Sequence, residues 1–254
     1  MRFALVTLAF SSISAFAGSI FSTGFESPTY TIGNLGSQDG WAEFNPSDSF
    51  QTVENGMVNS GSQAVYVGAN QTATVQSGIY HTDTLSGGPI IDLSADLYIS
   101  SSSTESGWQF AGTGAVSTLT PFIGGFDLSS TGSGATSDTI GGITAGFPVL
   151  GTFNLNTWNH VDLLFNFTTQ TYTLSLNGSV IGSNLAFCGD NGPCTSGVPI
   201  SEGQFSSFFD VFASITSNDL GVIDNLSLSS VPEPATYALT GLAMLAGAIV
   251  LRRA

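Results

Sequence analysis

The chain has almost no positive charge. Three of its 254 residues are Lys or Arg against eighteen Asp or Glu, a formal net charge of −15 at pH 7. The three are Arg2, Arg252 and Arg253, so no Lys or Arg stands between the two ends. That absence removes nucleic acid from the partners, because nothing in between can neutralise phosphates. Anionic lipid and acidic polysaccharide are repelled unless a divalent cation bridges them. Conventional salt bridges are also excluded there, since only His81, His160 and a new amino terminus could be cationic. A buried carboxylate must then be held by backbone amides, by a metal ion or by taking up a proton. This composition raises the expectation of structural Ca2+.

Cysteine is equally scarce. Cys188 and Cys194 are the only two, in the Gly/Asn/Pro-rich stretch "CGDNGPC". Neither histidine is close enough in sequence to complete a zinc site, and five intervening residues do not fit a redox motif. In an exported chain the pair reads as a disulfide. A helical period is missing from the body as well. The pattern is short alternating runs cut by Gly, Asn and Ser, which indicates strands.

The ends carry what the middle lacks. Met1-Arg2, the apolar run Phe3–Phe10 and the small residues Ala15 and Ala17 form a signal peptide, residues 1–17, cut before Gly18. At the other end Tyr237–Leu251 is apolar apart from Thr240 and two glycines, and Pro232 and Pro234 stop any helix arriving from upstream. At ~1.5 Å per residue this run covers roughly 22 Å against a hydrocarbon core of about 30 Å. Adding Ala235 and Thr236 and letting the arginines snorkel brings a single transmembrane helix, about 235–251, to spanning length. Arg252 and Arg253 keep its end cytoplasmic, as Arg2 does at the front.

Val231-Pro232-Glu233-Pro234, a short apolar helix and Arg252-Arg253 in that order resemble a PEP-CTERM sorting signal, here residues 231–254. The same signature is also called an ice-binding protein C-terminal domain, a label for the tail that implies no ice binding. The resemblance implies recognition by exosortase, a membrane protease-transpeptidase, after signal peptidase has acted at the front. It further implies a precursor held in the inner membrane of a Gram-negative bacterium by the C-terminal helix. The processed protein then passes to the cell surface or to a matrix rich in exopolysaccharide.

Between the signals lies one ectodomain, residues 18–230, with seventeen of the eighteen acidic residues. In "VDLLFNFTTQTYTLSLNGSVIG", Val161, Leu163, Phe165 and Phe167 share one face, which Tyr172, Leu174 and Leu176 resume after a turn. Asn177-Gly178 then supplies a type I′ turn. Further strands are expected at 20–26, 41–44, 50–53, 64–68, 72–80, 90–99, 107–112, 120–128, 146–153, 205–215 and 221–228, with Ser129–Gly142 read as a mobile loop or a small excursion from the sheet. So many short strands make an all-β, two-sheet antiparallel jelly-roll sandwich. "WNHVDLLFNFTTQTYTLSLNGSVIG", "GFESPTYTIGNLGSQDGW" and "GVIDNLSLSS" resemble segments of concanavalin A-like and laminin-G-like jelly rolls. That superfamily holds lectins, carbohydrate-binding modules and glucanases, and its fold does not choose among them.

Chemistry is sparse. The Glu-x-Asp-x-x-Glu run of glucanases on this fold is missing. Asp92 and Asp96 share one strand face without an accompanying Glu and read as solvated. His81 and His160 have no Ser or Cys nucleophile motif beside them, and His160 reads as a packing or hydrogen-bonding residue. An enzyme is therefore not expected. Sugar binding needs exposed aromatics, and Trp41, Tyr80 and above all Trp108, with Glu105 and Gln109, are the candidates; Trp158 is assigned to the core. The jelly-roll resemblance implies that the first and last strands pair, with Glu26 and Asp224 sharing a calcium ion. The expected function is a structural or glycan-binding module in an extracellular polysaccharide layer, with a polysaccharide-active enzyme as the alternative.

Overall fold

The computed structural model describes residues 18–44, 50–68, 77–85, 88–100, 107–114, 122–129, 136–144, 146–188, 204–212 and 220–231. The expected signal peptide with Ala15 and Ala17, the expected tail helix, Pro232, Glu233, Pro234, Arg252, Arg253, Glu105 and Cys194 all lie outside these residues. Among the described residues no helix is long and apolar enough to cross a membrane.

Among the described residues sixteen strands, numbered in chain order, form two antiparallel sheets. The first runs β14 (Ser179–Ala186), β13 (Thr171–Leu176), β12 (Trp158–Asn166), β7 (Ile90–Ile99), β16 (Leu220–Ser230), β5 (Ala64–Gly68), β4 (Phe50–Glu54) and β2 (Gly33–Asn34). Its ninth strand, β1 (Gly18–Thr23), pairs with β16. The second runs β11 (Val149–Asn154), β10 (Ser137–Gly142), β9 (Phe122–Ser129), β8 (Gly107–Thr113), β15 (Gln204–Phe212), β6 (Ser77–Thr84) and β3 (Trp41–Phe44).

The inward residues follow from the period of two. In β7, Ile91, Leu93, Ala95, Leu97 and Ile99 are buried and their neighbours half-buried. In β12 the inward set is Val161, Leu163 and Phe165. Opposite them the second sheet contributes Trp108, Phe110, Phe126, Leu128, Phe205 and Phe209. The fit is close enough to require glycine: a Cβ on Gly124 would stand 2.5 Å from the Tyr172 ring. The Tyr172 hydroxyl reaches across to donate a 2.8 Å hydrogen bond to the Gly125 carbonyl. Burial pushes its pKa well up.

The meander β12–β13–β14 is present as the sequence indicates, with Asn177 at φ 50° and Gly178 at φ 76° in the turn. Ser129–Gly142 differs from expectation, because its second half is strand β10, paired with both β9 and β11. Asp138 takes an inward position there, 5 % exposed, and this polar residue hid the alternation. Cys188 is disulfide-bonded, and the chain holds only one other cysteine.

One junction positions the residues that matter below. β16 spends its first half, Leu220–Ile223, beside β5 and its second half, Leu226–Ser230, beside β1 on the same edge. The ladder between β16 and β7 is irregular from Asp224 to Ser227, with Asn225 at φ 50°. Between the end of β1 and the start of β5 the edge is closed by the loop Asn59–Gln63.

Candidate functional site

Asp224 lies at that junction, fully buried. Its Oδ2 accepts the backbone N–H groups of Asn59 and Ser60, each at 3.0 Å, and its Oδ1 accepts the N–H of Asn225 at 2.7 Å. Burial pushes its pKa up, the three amides pull it down, and the nearby Asp96 carboxylate adds to the rise. Glu26 holds the other half of the loop. Its Oε1 accepts the N–H of Ser62 at 2.7 Å and of Gln63 at 3.1 Å, and its Oε2 accepts the Ser62 hydroxyl at 2.6 Å. These bonds, led by the Ser62 hydroxyl, hold its pKa below the usual carboxylate range. The two residues expected to share a cation thus clamp one loop. Each of these contacts is an N–H or O–H donor aimed at carboxylate oxygen, which compensates the charge without a metal. The described residues hold no group of three His, Cys, Asp or Glu arranged to take one.

From the clamp a polar row crosses the outer face of the nine-stranded sheet. Asp96 stands opposite both Asp224 and His160 in register. Its Oδ2 accepts the side-chain amides of Asn59 and Asn225, both at 2.7 Å, and its Oδ1 is 2.6 Å from His160 Nδ1. His160 Nε2 lies 3.2 Å from Asp162 Oδ1. Burial by itself would lower the histidine pKa, but Asp96 and Asp162 outweigh it and raise it. Asp92, diagonal to Asp162 on the same face, is pushed up to about 6 by burial and by the Asp162 charge. Asp92 and Asp96 do share a face, as their spacing required.

The adjacent row is aromatic. The registers Thr52–Tyr66–Val222–Tyr98–Trp158 run across five strands. Tyr66, Tyr98 and Trp158 are half-buried and Val222 is buried between the two tyrosines. The Tyr98 and Trp158 rings are 5.8 Å apart, tilted by 59°. At a strand spacing of ~4.8 Å, Tyr66 stands roughly 10 Å from Tyr98. Outward positions of a half-solvated sheet are normally polar, so this row departs from the default.

Here the sequence reading needs correction. Trp108, expected at a sugar, is 2 % exposed and stacks on Phe209 at 5.5 Å in the core. Trp158, expected in the core, is on the outer face. Trp108 and Gln109 also cannot serve one site, because consecutive strand residues point to opposite faces. Gln109 sits on the outer face of the seven-stranded sheet, in register with Asp127 and Asp210. The Asp127 carboxyl is raised by burial, and its Oδ1 is buried without a hydrogen-bond partner. Trp41 is buried and donates from Nε1 to the Tyr30 hydroxyl at 3.1 Å. His81 is also buried, 2.9 Å from Asp83 and stacked on Phe21 at 3.8 Å.

Residues 230–254 match the PEP-CTERM protein-sorting motif. The motif implies an exported bacterial protein, processed at the membrane by exosortase and sorted to the surface. None of the curated proteins matches the chain in sequence. In structure the sandwich is similar to an endo-1,3-beta-glucanase from Streptomyces sioyaensis, with TM-score 0.55, 11% identity, and coverage of 85% of this chain and 97% of that one. It is also similar to the Emp47p carbohydrate recognition domain, with TM-score 0.53, 9% identity and coverage of 85% and 97%. A sialidase matches at TM-score 0.52 and 10% identity, covering 76% of this chain but only 17% of that one. At such identities the likeness is one of fold, and that fold is the concanavalin A-like β-sandwich.

Proposed function

We propose that the protein is a glycan-binding component of a cell-surface or extracellular polysaccharide layer, and that its binding surface is the outer face of the nine-stranded sheet. The observation that carries this reading is the row Tyr66, Tyr98 and Trp158. Rings held at strand spacing by a rigid sheet present flat apolar faces at little entropic cost, and pyranose rings have complementary faces. His160 beside Trp158, and Asp162 and Ser94 further along the same face, offer groups that can read hydroxyls. In this reading the precursor is anchored in the inner membrane of a Gram-negative host until exosortase acts. Gly18 and Ser230 are paired, so both ends of the sandwich leave from one place.

A panel of oligosaccharides titrated against the purified protein, read by tryptophan fluorescence, tests this. Saturable quenching that disappears in Trp158→Ala is expected. Release of new reducing ends from any of them would replace the module with the polysaccharide-active enzyme. Calcium shared by Glu26 and Asp224 is the second reading of the loop clamp; a chelator that lowers the melting temperature would establish it.

A further inference from the structure

The aromatic row and the carboxylates beside it point to one class of saccharide. We propose that this face takes a polysaccharide bearing free amino groups, an amino-sugar polymer cationic at neutral pH, with Trp158 and Tyr98 stacking on its rings and Asp162 and Asp92 receiving its ammonium groups. This rests on the glycan-binding reading and narrows it.

Charge is the first argument. The body has no Lys or Arg with which to pair a uronate, sulfate or phosphate, and the whole chain is strongly anionic. An acidic polymer would approach against that field and find no basic partner but histidine. The layout of the face is the second argument. Trp158, His160, Asp162 and Leu164 alternate outward along β12, and Tyr98, Asp96, Ser94 and Asp92 along β7 beside them. From Trp158 to Leu164 the strand covers roughly 20 Å at ~3.3 Å per residue, enough for several sugar units. Leu164 is 38 % exposed and adds an apolar end to the track.

The carboxylates along this track are not equivalent. Asp96 is used up, since Asn59, Asn225 and His160 occupy it, and its part is to position the imidazole. Asp162 is about one-third exposed and has a single contact, His160 Nε2 at 3.2 Å on one oxygen. Asp92 is its diagonal neighbour on the next strand, where the two charges repel; the cationic groups near them are His160 and, two strands from Asp92, the amino terminus that cleavage before Gly18 would create. An ammonium group between them would bring three donors and one positive charge to a place that has acceptors and surplus negative charge. A neutral sugar offers the same ring to the aromatics but leaves that repulsion in place.

Calorimetric titration of the purified protein at ~50 mM salt tests the proposal, using β-1,4- and β-1,6-linked glucosamine oligomers, their N-acetylated counterparts and an oligogalacturonate. The glucosamine oligomers are expected to bind about tenfold or more tighter than the acetylated ones, the scale of a charge-assisted hydrogen bond. The uronate should not bind. Asp162→Asn should abolish the preference for the amine while leaving affinity for the acetylated oligomer. Trp158→Ala should weaken both, which separates binding at this face from general attraction of a polycation to an acidic protein. Melting curves of both variants should stay near that of the parent, which confirms that they fold. If the acetylated oligomers bind as well as the free amines and depend on Trp158, the amino-sugar proposal falls and the glycan reading stands. If amine binding ignores Trp158→Ala, or no saccharide binds, both fall.

Discussion

The sandwich interior and the outer face of the nine-stranded sheet each hold a tryptophan, and the two are stabilised by opposite means. Trp108 is surrounded by Phe209 and the backbone of Gly221, where a Cβ would come within 2.3 Å of the indole. Its contacts there are apolar and close, so shape does the work. On the outer face Trp158 leans on Tyr98, and the neighbouring row is a chain of carboxylates, amides and one imidazole joined by hydrogen bonds. The interior is thus sensitive to volume, whereas the outer face is sensitive to proton and charge balance. In a protein without Lys or Arg between its ends, backbone amides, side-chain amides, a hydroxyl and histidine do this ordering at Glu26, Asp96 and Asp224.

The largest expected effect is on the packed side. Trp108→Ala should cost ~3–5 kcal/mol and lower the melting temperature by about 10 °C, through a cavity that the two sheets cannot close. A fall of only a degree or two would mean that the interior repacks and that the contrast between the regions is overstated. Next in size is the junction. Asp224→Ala leaves the amides of Asn59, Ser60 and Asn225 without their acceptor and should cost about 2–3 kcal/mol. Hydrogen exchange at Asn59 and Ser60 should rise ahead of the core. The Cys188–Cys194 disulfide closes only a short loop, so its reduction should cost ~2 kcal/mol, the low end for such bridges, and leave the protein folded at room temperature.

A smaller effect belongs to pH and to the outer face. Asp92, with its pKa raised to about 6, contributes stability in its protonated form, which is lost as pH climbs through that value. The raised pKa of His160 acts in the same sense, stabilising below about 6.5 and fading above it. Glu26 acts oppositely, because its lowered pKa gives stability above about 4.5 that is lost as acid protonates it. Melting temperature should therefore peak at mildly acidic pH, between those limits, and decline toward neutrality. Asp92→Asn should flatten the decline between about pH 4 and 6, and a curve that rises from pH 5 to 8 would contradict the assignment. Smallest of all, Trp158→Ala should change stability by less than about 1 kcal/mol while removing saccharide-induced quenching.

Much of the framework is legible in the residues. The strands at 41–44, 64–68 and 90–99 have the bounds that alternation and turn residues indicate, and Asn177-Gly178 marks its hairpin. Strand β10 was hidden because Asp138 occupies an inward position, which breaks the apolar count that reveals a strand. The candidate site was less legible still. Asp92 and Asp96 could be put on one face by their spacing. That His160 and Asp162 stand beside that face depends on β7 pairing with β12, across a sequence separation that no local pattern encodes.

Composition alone determined that buried carboxylates here would be held by amides, by a metal ion or by a proton, and the C-terminal motif alone implied export and sorting. The period of two determined that Trp108 and Gln109 face apart. The apolar set of a strand marks the face to be buried, but what covers that face was decided by the tertiary structure, where the second sheet closes over it. The same covering put Trp108 in the core and left Trp158 outside. It also brought the amides of Asn59 and Ser60 to Asp224, which they reach only because β16 changes partner from β5 to β1 at that residue.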